Sequence, residues 1–184
     1  MTLSIDKNPK PFFPENILSS DQNRKPWRVA HTKSRREKIL ANYLAKEKIG
    51  YFLPLVQKRQ SDIKRSRFSL MPLFNGYLFF KADDFDRHKA FRSNHIARVI
   101  DVGDEKRLLH ELIQIQKVLL QGTPVFPYDF LEKGRLVRIK HGPMKDIEGI
   151  IIRKNHDCRL VLSVNCIMQS VSVEIDADLV EAIL

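Results

Sequence analysis

Residues 71–80 read MPLFNGYLFF, and the whole N-terminal fold turns on how they are read. Asn75-Gly76 between large apolar side chains ordinarily signals a tight two-residue hairpin. Its neighbours argue for something else. RFSLMPLF (67–74) reads as an approach segment, and GYLFFK (76–81) reads as a strand. The dipeptide then marks a bend that turns Phe74 outward while the strand after it packs inward. The stretch is half core and half contact, and the side on which Phe80 falls stays open.

Upstream, WRVAH (27–31) predicts a strand and TKSRREKILANYLAKEKIG (32–50) a helix. Ser34 and Glu37 have capping-box spacing, Ile39/Tyr43 and Leu40/Leu44 are i,i+4 pairs, and Gly50 suits the C′ position. Arg35 and Arg36 place positive charge at the positive end of the helix dipole, which an anionic partner explains better than stability does. YFLPLV (51–56) is the next strand. KRQSDIKRSR (58–67), with five basic groups and one acid, is either a solvated hairpin tip or a phosphate-facing loop. DFDRHKAFR (84–92) reads as a short helix or turn, HIARVIDVG (95–103) as a strand, and Leu108, Leu112, Ile115 and Leu119 as the apolar stripe of a helix. The order is β-α-β-β-α-β with a trailing helix, a split βαβ plan with helices on one face of an antiparallel sheet.

Residues 1–25 hold three prolines and no sustained period, and are expected to form a flexible leader. The first domain is expected over 26–120, with QGTPVFPYDF (121–130) as a linker. Beyond it every segment is strand-like: LVRIK (136–140), IEGIIIRK (147–154), RLVLSV (159–164) and VSVEI (171–175). Short strands of this kind over 131–184 suit a small closed barrel. The expected class is α+β, a βαββαβ domain followed by a β-barrel.

Charge divides the chain at the same place. Residues 1–130 carry 24 Lys+Arg against 14 Asp+Glu, whereas residues 131–184 carry eight of each. Long-range attraction to a polyanion therefore belongs to the first part. The chain contains no eighteen-residue apolar run and no secretory signal pattern, so a cytoplasmic protein without membrane association is expected. Cys158 and Cys166 lack metal-ligand spacing and read as free thiols. No phosphate-binding loop, dinucleotide fingerprint, zinc-protease or nucleophile-elbow motif occurs. Asp83, Asp84, Asp86 and His88 cluster, but a solvated strand-to-helix turn accounts for them. The expectation is a non-enzyme with no cofactor and no metal. A ribosomal or RNA-processing protein would use the same basic surface and barrel without needing an exposed Phe74.

Three ordered stretches resemble the NusG family of transcription elongation factors. WRVAHTKSRREKILANYL resembles the family's opening strand and helix, and YFLPLV with MPLFNGYLFF resembles its Y-L-P and P-L-F-P-G-Y patterns. GRLVRIKHGPMKDIEGIIIRK resembles the KOW motif that opens its barrel. The resemblance spans about 26–184 and implies an NGN-type domain followed by an SH3-like KOW β-barrel. It further implies a monomer that docks on the clamp helices of RNA polymerase and suppresses pausing or termination. By that resemblance His31, Phe74, Asn75 and Tyr77 fall at the docking patch. Lys33, Arg35, Arg36 and Lys46 fall near the upstream fork or non-template DNA, where Lys64, Arg65 and Arg67 of the basic run are further candidates. Arg87, His88 and Lys89 face the opposite side of the polymerase cleft. The KOW barrel implies recruitment of a second factor, such as ribosomal protein S10, Rho or RNA. Departures from the pattern are Asn75 for Pro, Met144 for Phe and Asp146 for Gly, and Asp tolerates positive φ better than most residues. The tail, with QSVSVE at 169–174, resembles the operon-restricted paralogues of the family, including those acting on capsule and exopolysaccharide operons.

Overall fold

In a computed structural model that describes residues 8–19, 25–62, 65–130, 134–154 and 157–183, the chain packs as two units, Met1–Glu105 and Lys106–Leu184. The first unit is built on strands β1 (Phe12–Phe13), β2 (Trp27–Thr32), β3 (Tyr51–Phe52), β4 (Leu55–Asp62), β5 (Arg65–Pro72), β6 (Tyr77–Lys81) and β7 (Ile96–Asp101). Helices α1 (Glu37–Lys46) and α2 (Asp84–Arg92) lie between them. Five strands form an antiparallel sheet in the order β1-β3-β6-β2-β7, and β4 and β5 form a separate two-stranded ribbon.

Strand alternation sends the two sides of β6 in opposite directions. Leu78 and Phe80 join Leu40, Ala41 and Leu44 of α1 and Ala90 of α2 in one core, so Phe80 is core. Phe79 points to the other face and meets Phe52 and Phe74. The Asn75-Gly76 dipeptide forms a bend rather than a hairpin, as its flanks imply. Gly76 takes φ +83°, Tyr77 N–H donates to Phe74 O at 3.2 Å, and Thr32 N–H donates to Gly76 O at 2.8 Å.

Three local expectations are corrected. Ser34 and Glu37 form no capping box: the helix starts later, its N-cap Arg36 receives no side-chain bond, and Glu37 instead accepts from Gly76 N–H at 2.6 Å. The run 51–56 is broken at Leu53-Pro54, because the chain leaves the sheet there to enter the ribbon. The described part of the leader is folded, with β1 on the sheet edge and Ile17 and Leu18 buried.

The second unit contains α3 (Glu105–Leu120) from Lys106 onward, with β8 (Phe126–Tyr128), β9 (Arg135–Ile139), β10 (Glu148–Lys154), β11 (Asp157–Val164), β12 (Gln169–Glu174) and β13 (Val180–Ala182). The six strands form an antiparallel sheet in the order β13-β9-β10-β11-β12-β8, of the KOW-like barrel type. Two segments unread in the sequence pair here, β8 with β12 and β13 with β9. Gly149 is required by space, since a Cβ there would lie 2.7 Å from Val161 O. Asp146 holds the turn before β10 at φ +65°, its N–H donating to Ile139 O at 2.9 Å.

The unit boundary falls one residue into α3, between Glu105 and Lys106, so nearly all of the helix expected to trail the first domain packs with the strands that follow it. Gln114 Oε1 accepts from Glu148 N–H at 3.3 Å, and Glu111 accepts from the Asn165 N–H at 3.2 Å and from the Asn165 side chain. Among the described residues no helix is long and apolar enough to cross a membrane.

Candidate functional site

Two surfaces of the first unit collect the residues singled out from the sequence. The first surrounds the 74–77 bend. Antiparallel pairing of β2 with β6 puts His31 opposite Tyr77, and their rings lie 5.1 Å apart at 39°. Gly76 sits against the same imidazole, because a Cβ there would be 3.7 Å from His31 Cδ2 and Nε2. His31 and Tyr77 are half-buried and Asn75 is exposed. Phe74 was expected to turn outward, but it is 2% exposed and packs edge-on against Phe79, with centroids 6.3 Å apart. Its apolar ring gains more from the sheet than from water, and the bend is set by Glu37 from below. The buried Glu37 carboxylate gives the Gly76 amide an acceptor, so a charge-assisted bond from outside the turn adds to the turn's own Tyr77 N–H to Phe74 O bond.

The second surface lies where the β2–α1 loop meets the α2–β7 loop. Lys33 N–H donates to His95 O at 2.8 Å, and Lys33 Nζ donates to Asn94 Oδ1 at 2.5 Å. Arg35, with φ +57°, and Arg36 complete the loop and are exposed. Burial, then Arg36, then Lys33 hold the His95 imidazole below its ordinary pKa. His95 therefore belongs to this cationic cluster. Its only sequence signal was a histidine at a strand start, which says nothing of the loop it will face.

Lys46 is exposed in the last turn of α1, about 15 Å along the helix from Arg36, and does not join the cluster. Lys64 lies outside the described residues. Arg65 and Arg67 belong to β5, in register with Asp62 and Gln60, and their side chains lie outside the described part. The ribbon that carries them pairs eight residues on each strand, a reach of about 26 Å.

On α2 the candidates separate. Arg87 is half-buried with Nη1 4.0 Å from Asp101, and Lys89 stands 3.6 Å from Glu47 and 5.1 Å from the Phe85 ring centroid. His88 is exposed. The nearby acids are structural partners: Asp83 caps the helix by accepting from Asp86 N–H at 2.8 Å, Lys25 bridges Asp83 and Asp86, and Asp84 pairs with Arg28 at 3.0 Å.

The family model described as NusG, transcription termination factor nusG, matches residues 25–123, which include both surfaces and the ribbon. This chain belongs to the NusG family and is a transcription factor of that family. Among solved structures it is similar to Thermotoga maritima NusG, in a structure describing domain interaction, with 17% identity and a TM-score of 0.47 over 88% of this chain and 98% of that one. It is also similar to a chain of the MjSpt4:Spt5 complex in its conformation A, with 18% identity and a TM-score of 0.25 over 85% of this chain and 97% of that one. No curated protein matches.

Proposed function

We propose that the chain is an elongation and antitermination factor that docks on the clamp helices of RNA polymerase through the surface around the 74–77 bend. His31, Asn75 and Tyr77 supply the contact, and Phe74 supports it from beneath. A tilted pair of half-buried rings in contact offers rigid contact area with little entropy to lose, the usual profile of an interface anchor. The observation that carries this reading is the NusG-family match over 25–123, which contains the bend and its two rings.

Lys33, Arg35 and Arg36, joined by His95, face phosphates of the upstream fork or non-template strand, and Arg65 and Arg67 of the ribbon extend that contact. Such phosphate contacts give affinity without sequence preference. His88 is the best placed of the α2 candidates for the opposite side of the cleft, since Arg87 and Lys89 already have acidic partners. The KOW barrel recruits a second factor, with ribosomal protein S10 and Rho as candidates; its balanced charge offers little attraction for RNA. The divergent tail fits a factor restricted to particular operons, of the kind acting on polysaccharide genes.

The test is capture of core RNA polymerase by the full chain, with Tyr77→Ala and Phe74→Ala beside the native protein. Native binding that weakens in Tyr77→Ala supports the reading. Absence of native binding overturns docking altogether, and equal binding by both variants overturns only the patch. Genome-wide occupancy then separates a factor of few operons from one present at most transcribed genes.

A further inference from the structure

We infer that residues 8–19 are a strap whose seating Lys38 passes to the base of the β4–β5 ribbon, making Lys38 a positioning residue for the ribbon's nucleic-acid contacts; the second half of this inference rests on the function proposed above. The strap precedes the region matched by the family and closes one edge of the sheet. Phe12 and Phe13 pair with Phe52 and Tyr51, Leu53 N–H donates to Pro11 O at 2.6 Å, and Tyr51 Oη donates to Lys10 O at 3.0 Å. Ile17 follows it into the core so closely that a Cβ on Gly50 would stand 2.9 Å from Ile17 Cδ1. These contacts fix the position of Asn8 at the head of the strap.

Lys38 then connects three segments. It stands in the first turn of α1, and its ammonium donates to Asn8 Oδ1 at 2.7 Å and to the main-chain carbonyl of Leu70. Leu70 lies in β5 opposite Gln57 of β4, at the sheet end of the ribbon. Among the described residues the ribbon pairs with no other strand, so its direction depends on what grips its base. A lysine shared between strap and ribbon supplies such a grip. Burial lowers the pKa of its ammonium, and the neighbouring Glu37 carboxylate partly offsets this.

Hydrogen–deuterium exchange of the full chain over residues 55–62 and 65–72 tests the inference, using Lys38→Met, Asn8→Ala and Asn8→Asp. Lys38→Met and Asn8→Ala are expected to raise exchange near Leu70 about three- to ten-fold, with Asn8→Asp restoring protection and the circular dichroism of all variants unchanged. The same two variants are expected to bind a fluorescent DNA fork about three- to ten-fold more weakly. Unchanged exchange in both overturns the strap. An Arg65→Ala/Arg67→Ala variant separates the two readings. If it weakens fork binding while Lys38→Met does not, the positioning role is overturned. If it leaves fork binding unchanged, the ribbon's nucleic-acid role fails, and exchange alone decides whether the strap seats the ribbon.

Discussion

Glu37 Oε1 accepts a hydrogen bond from Gly76 N–H at 2.6 Å, tying the first residue of α1 to the bend that opens β6. The carboxylate is buried, so truncation removes the acceptor of a partly buried backbone donor. Glu37→Ala is expected to lower stability by about 1–3 kcal/mol in urea unfolding. It should also weaken polymerase capture by loosening the bend under His31 and Tyr77. Glu37→Gln keeps an acceptor oxygen and should recover most of both losses.

In the KOW-like unit two nearby positions, one in the turn before β10 and one in β10 itself, should respond in opposite directions. A Cβ at Gly149 would meet Val161 O at 2.7 Å and Leu160 at 3.0 Å, and one of those is backbone. Gly149→Ala is expected to cost about 1–3 kcal/mol through overpacking. Asp146→Gly relieves a side chain held at φ +65° and should be neutral or stabilising by up to about 1 kcal/mol. Thermal unfolding of the two variants checks both signs.

Cys166 should resist alkylation at neutral pH. Burial, reinforced by the Glu111 carboxylate, pushes its thiol up to about 11 from 9.0. The folded pKa exceeds the unfolded value, so the thiol's contribution to stability is complete below about 9 and is lost as pH rises through about 11. Iodoacetamide labelling followed by mass spectrometry should show slow modification at pH 8 in the native chain. Labelling should be faster in Glu111→Gln, where one of the two causes is gone.

Strong acid should loosen the start of α2. The bond from Asp86 N–H, followed by the Lys25 bond, holds the Asp83 carboxyl below its ordinary pKa. A depressed carboxylate stabilises the fold above its unfolded pKa of 3.8, and that contribution disappears as pH falls through the lower folded value. Protonation removes the helix cap and one partner of Lys25 together. Exchange at residues 84–88 should therefore rise at acid pH, and Asp83→Ala should show the same rise at neutral pH.

Much of this architecture was legible from side-chain periodicity. Leu40 and Leu44, and Leu108, Leu112 and Ile115, are buried as their spacing implies, whereas the side of Phe80 was open until β6 took its place in the sheet. Glycine and proline marked where strands had to end. The candidate site was legible only in part. His31 opposite Tyr77 required a register, which two separate strands do not declare until they pair. Phe74 looked like a contact because its neighbours are apolar on both sides, and a period cannot say which apolar ring meets another. His95 and Lys38 carried no signal, since each acquires its role from loops distant in the chain.

The sequence by itself determined the order of elements, the basic first half and the strand-rich second half, because these follow from propensity, periodicity and charge. Tertiary structure alone decided that Glu37 caps a distant turn rather than its own helix, because its buried carboxylate faces the part-buried Gly76 amide, which meets less water than the exposed helix end. It also decided that the leader docks, since Ile17 and Leu18 leave water only once the edge at Tyr51–Phe52 exists to receive them. The bend at Asn75-Gly76 belongs to both: its residues require a turn, and the carboxylate beneath them chooses which one.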